Sequence, residues 1–342
     1  MTKTSKKNIA RVFVGGDWDA DGVVAAALIV YSQEKLGMYP LKTKAIIDKR
    51  PVDPEKLKFI IGSFRGNYDL VVLLDLPYTD TVPRVLKIIK QHFGVKKIMY
   101  IDHHLSTLTN EEKLKDVVDE LIIDHKMPTA GIVEKLLEEN GISIHLRLKS
   151  FVEVVKYMDS GRKVPQKYLK LFQITSMFSK ALTAIRDENL WVKIVDWLAS
   201  PSPLPMPLNE EVMKKVKKVI ETRDREIKEK ALDLALSAVK IGELRFIDAR
   251  NEWKHRGGTA LASKISSILK APVAVLVDTN KNYSLLIIKA PRGKAYRIAK
   301  FLIGEGIALD IAGHPNLAIV KIKKDPDKKE LIYKLREAEF YI

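Results

Sequence analysis

The first half of the chain alternates short, β-branched apolar runs with helix-length segments. Arg11–Gly16 (RVFVGG), Lys44–Ile47, Asp69–Leu74 (DLVVLL) and Lys97–Ile101 (KIMYI) predict strands; Gly22–Leu36 and Val82–Phe93 predict helices. Strands separated by helices of this length imply right-handed crossovers and a mostly parallel sheet with helices on both faces. Ligands of such sheets bind beyond the carboxyl ends of the strands. Helical patterning continues over Ala130–Asn140 and Phe151–Asp196, until four prolines in Ser200–Leu208 (SPSPLPMPL) mark a linker. Asn209 then caps a run with acidic residues in its first turn, predicting one long connecting helix. From Ile241 onward strands at Leu244–Ala249, Pro272–Val277, Tyr283–Lys289 and Ala318–Ile322 enclose helices near Gly258–Leu269 and Ala295–Ile303, a second and smaller α/β unit. The expected organisation is a catalytic-type domain over 1–199, a proline-rich linker and connecting helix over 200–240, and a second domain over 241–342.

Composition narrows the chemistry. The chain has 342 residues, is 46% hydrophobic and carries a formal charge of +16, enough for two cores and a surface that favours polyanions. With no cysteine, thiolate catalysis and zinc–cysteine sites are excluded, and a metal must sit on carboxylates and histidines. No apolar run reaches membrane-spanning length and MTKTSKKNIA has no signal-peptide core, so a soluble, cytoplasmic protein without membrane association is expected. Abundant Lys, Glu and Ile hint at a thermophile.

Three polar clusters fall at predicted strand ends. Asp17-Trp18-Asp19-Ala20-Asp21-Gly22 follows the first strand; in an extended segment its acids would all face one way. Such acids repel each other, and a divalent cation removes the conflict. Asp75 ends DLVVLL, and Asp102-His103-His104 ends KIMYI, offering an imidazole ligand, a carboxylate to orient an imidazole and a second imidazole to meet a phosphate. His125, beside Asp124, reads as structural. Trp253 and His255 could stack on a base but are expected to pack against their domain.

The order DWDADG, an Asp after a buried strand, then IDHH, with intervals of 54 and 28 residues, resembles the DHH phosphoesterase superfamily. Within it the triple-Asp motif is more similar to RecJ-like nucleases than to relatives whose first motif begins with His; Gly15 stands at that place, and Asp17 replaces it as a ligand. The resemblance implies two cations, Mn²⁺ or Mg²⁺, one held by Asp17, Asp19 and Asp75 and the other by Asp21, Asp75, His103 and Asp159, with His104 on the phosphate and Asp102 orienting a histidine. Asp159 (KYMDSG) stands for the family's fourth motif, with Asp124 (IIDHK) as its competitor.

The C-terminal unit resembles the DHH-associated substrate-binding domain, its glycine-histidine signature being Gly313-His314-Pro315 with Ala312 in place of a usual glycine and Arg292 in place of a missing Arg-Ser pair. Arg256-Gly257-Gly258, opening a helix, could hold phosphate or act as a hinge. By resemblance the expected activity is single-strand exonuclease action on DNA or RNA in archaeal replication or repair, 3′→5′ favoured, with helicase or replisome association. The alternatives are hydrolysis of oligoribonucleotides or pAp, and a replication scaffold with little catalysis.

Overall fold

The structure, a computed structural model, describes residues 9–54, 57–60, 62, 64, 67–202, 204–253, 257–279 and 282–341. Arg256 and His255 lie outside the described residues. The chain divides into two units, 1–218 and 219–342, with the division inside a long helix.

Unit 1 alternates strands and helices as the apolar pattern requires: β1 (Ala10–Gly16), α1 (Ala20–Val30), β2 (Ala45–Pro51), α2 (Leu57–Ile60), β3 (Leu70–Leu74), α3 (Thr81–His92), β4 (Ile98–Asp102), α4 (Leu105–Thr109), α5 (Glu111–Lys115), β5 (Glu120–Ile123), α6 (Thr129–Glu139), α7 (Leu146–Ser160), α8 (Leu169–Ile185), α9 (Glu188–Ala199) and α10 (Glu210–Leu236). The five strands form one parallel sheet in the order β2-β1-β3-β4-β5, so all of them end on the same edge. β3 and β4 are buried along their whole length, the mark of a sheet covered on both faces. On one face Phe13, Val71, Leu73 and Tyr100 pack with Val82, Leu86 and Ile89 of α3. On the other lies α1, apolar on all sides beyond its first turn and buried at every position because α6, α7 and α9 cover what the sheet does not. Fully burying a side chain such as Leu28 or Ile29 contributes about 1.5–3 kcal/mol.

β5 is a strand that the periodicity does not announce: ELII is short and, at the sheet edge, only half-buried. The helical stretch after Phe151 is interrupted at Gly161, Pro165 and Asp187, which separate α7, α8 and α9. The long helix starts where the sequence places it, with Asn209 Oδ1 accepting from Val212 N at 2.8 Å.

Unit 2 contains β6 (Val239–Ile241), β7 (Leu244–Asp248), α11 (Gly258–Leu269), β8 (Val273–Asp278), β9 (Tyr283–Lys289), α12 (Lys294–Gly304), β10 (Ala308–His314), β11 (Leu317–Lys323) and α13 (Lys328–Tyr341). Its sheet, in the order β10-β11-β9-β8-β7-β6, is antiparallel except for β7 with β8. α12 and α13 cover one face, while α11 and the end of α10 cover the other. Trp253 is buried in that second core, packed against its domain as expected. Among the described residues no helix is long and apolar enough to cross a membrane.

Candidate metal centre

The shared carboxyl edge of the first sheet gathers the polar residues that its strands end on. β1 delivers Asp17, and the chain turns at once into α1. The turn is tight: a Cβ on Gly22 would stand 2.4 Å from Asp17 N, so only glycine lets helix and strand end approach this closely. Neighbouring helices fix the loop from outside. Trp191 Nε1 donates to Asp17 O at 3.0 Å, and Ala20 N donates to Ser179 Oγ at 3.2 Å.

Asp19 caps α1, its Oδ1 accepting from Asp21 N at 2.9 Å and Gly22 N at 3.2 Å. Because the helix begins at Ala20, Asp21 sits in its first turn, and the three acids do not share one extended face as the spacing predicts. Helical winding swings Asp21 to a separate group. The ligand-capable atoms of Asp17, Asp19 and Asp75 lie within 4.8 Å of one another, and so do those of Asp21, Asp75 and His103, and those of Asp75, Asp102 and His104. Asp75 belongs to all three of these groups.

Asp75 reaches this central place through an unusual backbone, φ 59°, in the left-handed region that a non-glycine residue seldom adopts. Its N–H donates to Ile101 O at 3.0 Å, and Tyr100 Oη donates to the next carbonyl, Leu76 O. Its Oδ1 accepts from Thr129 Oγ1 at 3.0 Å and stands 3.3 Å from His103 Nε2. Burial pushes the Asp75 carboxyl up, but the His103 hydrogen bond, the charges of His103 and His104 and the Thr129 hydroxyl outweigh it and hold the group well below the usual carboxylate range. Asp19 shows the opposite balance: burial and the charge of Asp75 raise it to about 6. Asp17 and Asp21 are likewise pushed well up, by burial first and then by neighbouring carboxylates.

The two imidazoles are oriented differently. Asp102, fully buried, accepts from His104 Nδ1 at 2.8 Å through Oδ1, and from Thr107 Oγ1 through Oδ2; Thr107 Oγ1 in turn accepts from Tyr78 N at 3.0 Å. This leaves His104 Nε2 as the ring nitrogen not committed to Asp102. Burial lowers the His104 pKa, but the charge and hydrogen bond of Asp102 win and carry it to about 9. His103 also reaches about 9: burial pulls it down, but the hydrogen bond to Asp75 and the charges of Asp75, Asp102 and Asp159 outweigh it.

Asp159 is exposed near the end of α7 and stands outside the three ligand groups, although its charge reaches His103. Asp124, the competitor, follows β5 at the same sheet edge and accepts from Lys126 N at 2.9 Å in a turn of its own. That places Asp124 and His125 at a strand end of the same sheet, a setting absent from the sequence pattern because β5 is short and half-buried.

Sequence reasoning missed the amino end of α6. Thr129 N donates to Asp21 Oδ2 at 2.8 Å and Ala130 N to Asp21 Oδ1 at 2.7 Å, while the Thr129 hydroxyl holds Asp75. Two free N–H groups at a helix start make a natural cradle for a carboxylate. The available signal was Pro128-Thr129 opening a helix after the third cluster, a pattern shared by ordinary helix starts.

In unit 2 the residues singled out form two places. Gly313, φ 98°, could carry no Cβ, which would meet Leu317 O at 2.3 Å. The turn beyond His314 docks on the start of α12: Asn316 Oδ1 accepts from Gly293 N at 2.8 Å, next to exposed Arg292. Gly257 and Gly258 start α11, which follows the opposite end of the sheet, and Arg223 lies over Gly257. The two places do not build one cradle within this unit.

No family model matches the sequence, and no curated protein matches it. Solved structures do. A DHH domain described as a member of a family of ribosomal proteins superposes with a TM-score of 0.58 at 17% identity, over 98% of this chain and 87% of that one. The chain has the DHH-domain fold. RecJ from Thermus thermophilus in complex with Mn²⁺ gives a TM-score of 0.60 at 15% identity, over 97% of this chain and 52% of RecJ. The pGpG-specific phosphodiesterase PggH from Vibrio cholerae gives 0.54 at 16%, over 96% and 99%. At these identities the likeness is one of fold. In this DHH-domain fold the Asp102-His103-His104 triplet ends β4, facing the acids of β1 and β3.

Proposed function

We propose that the chain is a phosphodiesterase that uses two divalent cations, Mn²⁺ or Mg²⁺, at the carboxyl edge of its first sheet. The observation that carries this reading is the convergence of Asp17, Asp19, Asp21 and Asp75 with His103, in groups that share Asp75. Acids whose burial and mutual repulsion push their pKa values up are in conflict without a cation between them. Asp17, Asp19 and Asp75 would hold one ion and Asp21, Asp75 and His103 the other, with Asp159 adding its charge beside the second ion or completing that ligand set. Oxygen-rich donors with one imidazole suit these metals. When bound, the pair supplies an activated water and charge neutralisation at phosphorus. The chain's own part is to orient: Asp102 fixes His104 so that Nε2 can donate to a phosphate oxygen, and Asp75 sets the spacing of the two groups.

The basic surface, net +16, supports nucleic acid as substrate, and single-strand exonuclease action with 3′→5′ direction is the reading favoured. Gly313, His314 and Arg292 would contact an end or backbone, with Gly257, Gly258 and Arg256 as a separate phosphate contact. A helicase or replisome protein is the expected partner class. Hydrolysis of short substrates is the second reading, supported by the likeness to a phosphodiesterase specific for pGpG.

Incubating 5′- and 3′-labelled single-stranded DNA and RNA, and a dinucleotide, with Mn²⁺, Mg²⁺ or EDTA tests metal, direction, sugar and length together. Asp75→Ala is expected to abolish cleavage with the fold intact. Cleavage in EDTA, or by Asp75→Ala, refutes the two-cation reading.

A further inference from the structure

We propose that the connection between α7 and α8 is the surface along which a single-stranded nucleic acid runs to the metal centre. The inference rests on the phosphodiesterase reading and assigns its single-stranded substrate a surface. After Ser160 the chain passes through Gly161, Arg162 and Lys163 to Pro165, makes a single turn over Gln166–Tyr168 in which Tyr168 N donates to Pro165 O at 2.9 Å, and enters α8. Proline and the hydrogen-bonded turn make this connection short and stiff.

Its charge is not that of an ordinary solvated helix face. From Tyr157 to Lys170 the sequence holds one carboxylate, Asp159, against Arg162, Lys163, Lys167 and Lys170, all exposed. Among the described residues none of these four cations stands in an ion pair, whereas Lys149 and Lys156, just before them, are matched by Glu138 and by Glu134 with Glu153. Cations left without carboxylates on a rigid connection are placed for phosphates.

Aromatic rings accompany them. Half-exposed Tyr157 and Tyr168 stand 6.1 Å apart at 42°, and Lys167 Nζ lies 4.8 Å from the centre of the Tyr168 ring. Rings interleaved with cations suit unpaired bases and their backbone; a duplex offers no base faces to them. The surface also leads to the centre. α7, which opens it, and α8, which closes it, both pack on α1, and α8 holds the Asp17–Asp21 loop through Ser179.

Binding of a fluorescent single-stranded 20-mer by the full chain in EDTA, read by anisotropy across salt concentrations, separates this surface from catalysis. Arg162→Ala, Lys163→Ala and Lys167→Ala together should weaken binding on the order of tenfold and lower the slope of log affinity against log salt by about 2, since each phosphate contact in a single strand contributes about 0.7. The same number of charges removed by Lys87→Ala, Lys113→Ala and Lys115→Ala, on α3 and α5 across the sheet, should leave the slope within about 0.5 of the parent. Tyr168→Ala should weaken binding and Tyr168→Phe should not. If the triple variant misfolds, Arg162→Gln and Lys167→Gln singly should each lower the slope by about 0.7. Equal effects of the two triples, an unchanged slope, or Tyr168→Ala binding like the parent overturns the proposal. Absence of hydrolysis with any metal would instead refute the phosphodiesterase reading and leave the binding result to stand by itself.

Discussion

Replacing Thr129 with valine removes one hydroxyl from the candidate metal centre and keeps the side-chain shape. Thr129 is fully buried, and its Oγ1 is 3.0 Å from Asp75 Oδ1, the carboxylate shared by the three ligand groups at the sheet edge. A hydrogen bond to a charged group contributes about 1.5–3 kcal/mol, equivalent to about 10- to 150-fold in an equilibrium constant. Without it Asp75 loses one of the partners that hold its pKa down, and its aim rests on His103 at 3.3 Å and His104 at 3.9 Å. Removing a partner that orients a metal ligand commonly weakens metal binding about 10–100-fold, and that range is expected for Mn²⁺ with Thr129→Val. Thr129→Ser keeps the hydroxyl and should bind within a fewfold of the parent. Calorimetric titration of chelator-stripped protein with Mn²⁺ measures each variant directly. If valine and serine bind Mn²⁺ alike, the start of α6 has no part in setting Asp75, and the reasoning fails.

The pH dependence of metal binding has a definite sign. Asp17, Asp19 and Asp21 have folded pKa values raised above the ordinary carboxylate range, so their contribution to metal-free stability is present below about pH 4 and lost as pH rises through each raised value, about 6 for Asp19. His103 and His104, raised to about 9, contribute below about pH 6.5 and lose it as pH rises through about 9, while Asp75, held low, titrates beneath this window. The rise in melting temperature on adding Mn²⁺ to stripped protein should therefore grow from about pH 5 to about pH 9; a flat or shrinking increment counts against the ligand set. His104→Asn should slow turnover about 10²–10⁴-fold while Mn²⁺ affinity changes little, and an equal loss of both would make His104 a ligand instead. Gly313→Ala, forced against Leu317 O, should lower the melting temperature of unit 2, with about 1–3 kcal/mol lost; a variant as stable as the parent would show that the hairpin relaxes.

The centre was legible wherever its residues end buried strands. Asp17, Asp75 and Asp102 follow runs too apolar to be anything but covered β-structure, and a parallel sheet sends all such ends to one edge. What escaped was whatever depends on how helices meet that edge. Thr129 looks like any helix start until α6 is placed against Asp21, and the separation of Asp21 from Asp17 and Asp19 depends on where α1 begins winding. β5, β6 and β10 escaped for another reason: β6 is three residues long, and burial along β5 and β10 does not alternate, so the period-two contrast is missing.

Asp75 is where folding and chemistry ask for different residues. Its left-handed backbone suits glycine or asparagine better than aspartate, and asparagine would still accept from Thr129. Asp75→Asn should accordingly relieve the backbone yet give up the charge pairing with His103 and His104, lowering the metal-free melting temperature at neutral pH and losing Mn²⁺ binding. A lineage that stopped using the centre would keep a carboxylate there only for that pairing. Drift at this single position would then be an early mark of a descendant that keeps the scaffold after abandoning the reaction.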